Sequence, residues 1–187
     1  MEIMVSVAVI AITLAVGIPS LTSWMQNVQV RTTAESVLAG MQLARAEAVR
    51  RNTLVRFNLT DANGTAAWSI DCVTVTSTCP SGIQTSDSGQ TGANGRVGVS
   101  TTALPSPIPS TYFNTALAAG AGLPAGVTFD GMGRIPTTNI GTDIARVDAT
   151  SSVSANARRM VVYVTTSGSA KLCDPSLALA SNPRGCS

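Results

Sequence analysis

Residues 2–51 read EIMVSVAVIAITLAVGIPSLTSWMQNVQVRTTAESVLAGMQLARAEAVRR, and two patterns divide them. From Ile3 to Leu21 the chain is nearly continuous Ile, Val, Ala, Leu and Met, and no ionisable residue stands between Glu2 and Arg31. As a helix, this run is long enough to cross a hydrocarbon core of about 30 Å. A removed secretory signal would open with basic residues and close on a small-residue cleavage site. Here Glu2 is an acid and Gly17-Ile18-Pro19 gives no such site, so the run reads as a retained membrane-type helix. Beyond it the pattern turns amphipathic. Val30, Ala34, Val37, Leu38, Met41, Ala44 and Ala48 recur at three- and four-residue intervals on one helical face, with Arg31, Glu35, Gln42 and Arg45 off the stripe. Glu47 precedes Arg50 and Arg51 by three and four residues, a favourable helical pairing. A helix from Glu2 to Arg51 is about 75 Å long. One small domain cannot bury such a rod, so its first half must find lipid or other copies of similar helices. Gly17 and Pro19 predict a kink or a melted turn in it; the rival reading is a boundary between two helices.

Outward from the helix, Asn52-Thr53 is a stop and Leu54 to Leu59 alternates like a strand. The remainder reads as β. Asp61 to Gly64 is a turn, and Ala67 to Ile70 and Val73 to Val75 are strand material around Cys72. From Pro80 to about Pro109 the chain is rich in Ser, Thr, Gly and Pro, a long loop with a short strand at Arg96 to Val99. Val127 to Phe129, a turn at Asp130 to Gly133, and Arg134-Ile135 predict a hairpin. Met160 to Thr165 is the strongest strand, and Ser167-Gly168 turns it into Ser169 to Leu172. The four cysteines fall into two close pairs, Cys72/Cys79 and Cys173/Cys186. Three pairings are open; local pairing is the simplest, and disulfides imply an oxidising compartment.

Composition closes off several functions. The 187 residues include 12 % charged side chains, about half the usual share, and no histidine. A His-based catalytic triad or zinc site is therefore excluded. The serines have no histidine partner, Asp61 and Asn63 before Gly64 read as a turn instead of a calcium loop, and Gly120-Ala121-Gly122 lacks dinucleotide-binding spacing. No enzyme, cofactor or metal is expected. A net charge of +2 is small for an electrostatic nucleic-acid binder, although the basic residues are eleven arginines and one lysine, Lys171.

Glu2-Ile3-Met4-Val5 leading an apolar helix, with Pro19 seventeen residues after the glutamate, resembles the N-terminus of mature type IV pilins and type II secretion pseudopilins. Ala39 to Asn52, Phe129 to Arg134, the Val161 to Val164 strand with Ser167-Gly168, and the tail from Cys173-Asp174-Pro175 to Asn182-Pro183-Arg184-Gly185-Cys186 are similar to the GspH/FimT/FimU-like minor pilins. The resemblance implies an α+β, pilin-like fold: a long N-terminal helix with an apolar first half, packed on a mainly antiparallel β-sheet head. Residues 1–25 would be the membrane and filament-core half of the helix and 26–52 the half packed on the head. Residues 53–187 would be the head, with a long loop at about 80–124 and a tail closed by Cys173–Cys186. Local pairing would make Cys72–Cys79 the other disulfide.

The implied function is structural: a minor pilin that primes assembly or links a tip complex to the pilus body. Glu2 would set register against a neighbouring subunit, since a glutamate in an apolar bundle is costly unless paired, and Pro19 would mark a stretch that melts on assembly. The partners implied are other pilins through the helix, minor pilins through the head, and the bacterial inner membrane before export of the subunit into a pilus or periplasmic pseudopilus. The alternatives are a type II secretion pseudopilin and a DNA-uptake pilin that binds double-stranded DNA. For the latter, Arg134, Arg158, Arg159, Lys171 and Arg184 are candidate phosphate contacts. DNA-binding members carry Gly-Arg-x-Arg where this chain reads Gly168-Ser169-Ala170-Lys171, which weakens that alternative.

Overall fold

The computed structural model describes residues 2–87, 89 and 92–186, of which residues 2, 3, 5 and 8–20 are described by their helical backbone alone. One helix, α1 (Glu2–Arg51), accounts for 50 residues. Its second half buries the face that the spacing selects: Val30, Ala34, Val37, Met41, Ala44 and Ala48 are inside, Leu38 is half-buried, and Arg31, Glu35, Gln42 and Arg45 are outside. The helix ends at Asn52, which adopts a left-handed φ of 49°. The Asn52 N–H then donates to the Val49 carbonyl and the Thr53 N–H to the Ala48 carbonyl, each at 3.2 Å. Two carbonyls that the last turn would leave orphaned are thereby satisfied. The helical backbone runs without a break through positions 17–19, so the melted turn expected there is not formed. A proline ring keeps a helical φ, so the helix continues through it although one donor is lost and the carbonyl four residues earlier is crowded.

The head holds two antiparallel four-stranded sheets. The first comprises β1 (Val55–Leu59), β2 (Trp68–Cys72), β3 (Gln84–Ser86) and β5 (Ala125–Phe129), in the order β3-β2-β1-β5. The second comprises β4 (Gly95–Ser100), β6 (Arg146–Ser151), β7 (Met160–Val164) and β8 (Ala170–Cys173), in the order β4-β6-β7-β8. Period-two alternation turns Val55, Phe57 and Leu59 inward on β1, and the register sets Phe57 between Ile70 and Val127. Val97 and Val99 on β4, Val147 on β6, and Val162 and Val164 on β7 join the same core with the helix stripe. Gly40 lets the two layers meet: a Cβ there would stand 2.6 Å from Phe57 Cε2. Phe57 in turn packs on Trp68, with ring centroids 5.8 Å apart, and the Trp68 indole N–H donates to Ser36 Oγ on the helix at 3.0 Å.

Three expectations are corrected. The stretch 80–124 is not one loop, because β3 and β4 lie within it and β4 runs the full length Gly95–Ser100. The hairpin of residues 127–135 does not form. β5 pairs with β1 instead, and the Asp130 N–H meets the Arg134 carbonyl at 2.8 Å in a tight turn that delivers the chain to Pro136, which has no N–H to lend a ladder. β6 has no signature in the sequence pattern, because Arg146 and Asp148 interrupt its apolar residues; both are buried.

Those two residues explain the remaining loop, 101–124. Arg146 Nε and Nη2 donate to the two oxygens of Asp148 at 2.7 and 2.8 Å, and Arg159 pairs with the same carboxylate. Arg146 then donates to the carbonyls of Tyr112 and Thr115, the Leu117 N–H donates to Asp148, and Arg159 holds the Phe113 carbonyl. The loop is thus strapped over the outer face of the second sheet. Phe113 fills that face, buried with Val161 and the Cys173–Cys186 disulfide. Buried charges persist only when paired and hydrogen-bonded, and here each is.

Candidate assembly surface

The head buries the stripe of α1 from Val30 onward and reaches back by hydrogen bonds to Gln26, from Ser151 Oγ at 2.9 Å, and to Asn27, from the Arg158 N–H at 2.7 Å. Before that stripe, Leu21, Trp24, Met25 and Val28 are large apolar side chains left exposed, Trp24 by 64 %. A monomer gains nothing by showing them to water, so this part of the rod is a surface waiting for a partner. The expected register residue Glu2 and the expected melting point Pro19 have side chains outside the described residues. Most side chains of the apolar run are likewise outside them. Among the described residues, no helix is long and apolar enough to cross a membrane.

The Phe129 to Arg134 segment is a joint between three elements. Asp130 Oδ1 accepts the N–H groups of Met132 and Arg134, each at 2.9 Å, which fixes the turn. The Gly133 carbonyl accepts Arg45 Nε from the helix at 2.8 Å. On its other side the β7–β8 turn arrives so closely that a Cβ on Gly168, whose φ is 77°, would stand 1.9 Å from that same carbonyl oxygen. No side chain fits there, and only glycine adopts this φ freely.

The five candidate phosphate contacts do not form one surface. Arg159 is inside the Asp148 strap. Arg158 pairs with the carboxylate of Asp174, which is buried. Arg134 sits at the turn, 3.7 Å from Asp130. Lys171 is exposed on β8 opposite Tyr163, and Arg184 is exposed in the tail. Only Arg158 and Arg184 come together, on a groove of about 700 Å³ between α1 and β8. Sequence reasoning missed two residues of this groove, Trp24 and Arg31, which are seven positions apart and therefore on one helix face. It also missed the Arg146–Asp148 pair, whose i, i+2 spacing on a strand is itself a signal that both face one side.

Both disulfides are local: Cys72–Cys79 spans 5.7 Å between Cα atoms and Cys173–Cys186 spans 4.9 Å. The first sits beside the end of the helix, where Arg51 reaches the Thr78 carbonyl. Glu47 binds both Arg50 and Arg51, at 2.6 and 2.8 Å. The hydrogen bond from Arg50 holds its carboxyl below the usual range, partial burial opposes it, and the Arg51 hydrogen bond adds to the lowering.

The sequence model of the family described as type II transport protein GspH matches residues 33–168. Among solved structures, the chain is similar to the type IV minor pilin FimU of Pseudomonas aeruginosa PAO1. The TM-score is 0.52 at 17 % identity, over 88 % of this chain and 99 % of that one. A second crystal form of FimU gives 0.47 at 15 % identity, over 84 % and 99 %. The first likeness is one of fold: a long N-terminal helix packed on antiparallel sheets, the α+β pilin-like arrangement. No curated protein matches the chain.

Proposed function

The chain belongs to the GspH family, and from that premise we propose that it is a structural minor pilin, which primes filament assembly or joins a tip complex to the body of a type IV pilus. One observation carries the reading: a 50-residue helix whose stripe the head buries from Val30 on, while among the described side chains before it Leu21, Trp24 and Met25 stay uncovered. The apolar run from Ile3 to Leu21 anchors the subunit in the inner membrane, with the head on the periplasmic side, and later packs among the helices of other pilins. Glu2 sets the register of that packing. The strapped and disulfide-closed head supplies a rigid surface to neighbouring minor pilins.

The test is a deletion strain complemented with the wild-type chain or with Glu2→Leu. The expected result is that deletion reduces surface pili, that the wild-type chain restores them, and that Glu2→Leu is made and inserted but stays out of sheared filaments. Normal entry of Glu2→Leu into filaments would overturn the register role. The family description favours a second reading, a pseudopilin of type II secretion. Under that reading deletion leaves pili intact and stops the export of secreted enzymes.

A further inference from the structure

The hydrogen-bond alternation of β7 and β8 leaves part of a sheet edge open. The Thr165 N–H donates to the Ser169 carbonyl, so pairs 163/171 and 161/173 exchange bonds while 164/170 and 162/172 do not. The Val164 N–H accordingly turns the other way, to the Ala145 carbonyl at 2.9 Å. By the same alternation the N–H and C=O groups of Ala170 and Leu172 point outward from β8, the last strand of its sheet. The next outward residue, Asp174, is covered by the tail: its N–H donates to the Arg184 carbonyl at 2.7 Å, and it pairs with Gly185. Among the described residues, no tail group bonds the outward backbone of 170 or 172. The opposite edge strand is treated differently, since Val97 bonds Gly64 and Gly120, and Val99 bonds Ala121.

The open edge borders the groove between α1 and β8. Its floor is apolar, made by Trp24, Val28, Met160 and Leu172. Its rim carries Arg31, Arg158 and Arg184; Arg31 pairs with Glu35 at 2.7 Å and Arg158 with Asp174, which leaves Arg184 as the rim arginine without a carboxylate partner among the described residues. We propose that this groove docks an extended acidic segment of a partner protein. The segment adds as a strand to β8 at Ala170 and Leu172, seats an apolar side chain against Trp24 and Val28, and sets a carboxylate on Arg184, with Arg31 reached by exchange from its exposed pair with Glu35. Main-chain bonds supply affinity, while side-chain alternation and rim charge supply selectivity. A nucleic acid would satisfy the arginines, but its phosphates only accept hydrogen bonds and would leave the two carbonyls facing acceptors. The inference goes beyond filament membership and holds for a pilus or a secretion subunit alike.

The test uses the full chain in detergent micelles and a short fluorescent peptide of alternating aspartate and apolar residues, followed by anisotropy. Saturable binding is expected, weakened roughly tenfold or more when lysines replace the aspartates, and lost when alternate peptide nitrogens are methylated. Ala170→Pro removes one outward N–H without touching a β7–β8 bond and should weaken binding with the circular dichroism unchanged. Arg184→Glu, at an exposed site, should do so through charge alone. Equal binding of the lysine peptide, indifference to both substitutions, or equal displacement by single-stranded oligothymidylate would overturn the proposal.

Discussion

At the scale of single residues, the head is set by contacts that leave no slack. Gly40 is the point where helix and sheet come closest, and glycine there is a concession, since it costs a helix interior roughly 0.5–1 kcal/mol relative to alanine. Gly40→Val drives its side chain into Phe57 and Trp68. The expected loss is about 1–3 kcal/mol, an overpacking penalty, read as a lower denaturation midpoint. Glu47 makes a pH prediction. Its folded carboxyl titrates below the unfolded one, so its stabilising effect is fully present above an unfolded value of about 4.3 and fades as pH falls through the folded value. Denaturant titrations of wild type and Glu47→Gln should therefore differ at neutral pH and converge in acid. A gap that stays constant with pH would contradict this. Neither residue was equally legible beforehand. The Glu47 pairing follows from spacing alone, whereas the role of Gly40 depends on which side chain arrives from β1.

At the scale of elements, the helix was legible and the second sheet only partly so. The stripe from Val30 to Ala48 announces itself because a helix face repeats within a few residues, and Asn52 marks the stop. β7 and β8 were legible for similar reasons, as an apolar run and a turn. β6 was not, because Arg146 and Asp148 make sense only once the carbonyls of residues 112–115 are folded above them. Charges in a strand look like exposure until the loop that buries them is placed. The strap yields a direct prediction. Asp148→Asn leaves Arg146 and Arg159 without their shared counter-charge in a buried site, at an expected loss of about 3–5 kcal/mol. Limited proteolysis should then cut within residues 101–118 faster than in wild type. Resistance equal to wild type would show that Phe113 holds the loop unaided.

At the scale of the whole molecule, the distribution of charge argues against a DNA-handling head. Arg159 and Arg158 are committed to Asp148 and Asp174, and the net charge is +2. Double-stranded DNA should bind the full chain only at low salt, with a shallow logarithmic salt slope of one or two phosphate contacts. Fluorescence anisotropy across a salt series reads this directly. A slope near that of about five contacts would restore the DNA-uptake reading and make Arg134, Lys171 and Arg184 the residues to change. The groove beside β8 was out of reach of sequence because it joins residues 24–31 to residues 158–184, and nothing local pairs those two stretches.

The burial of α1 along one continuous stripe also has a mechanical meaning. In the proposed role as a filament subunit, the chain is loaded along its helix. From Val30 to Ala48 the seam is roughly 27 Å long and lies parallel to that axis. Tension along the rod is therefore met in shear, by every contact of the seam at once, and not by peeling one contact after another. Arg45 on the Gly133 carbonyl and Arg51 on the Thr78 carbonyl clamp its far end, where slippage would otherwise begin.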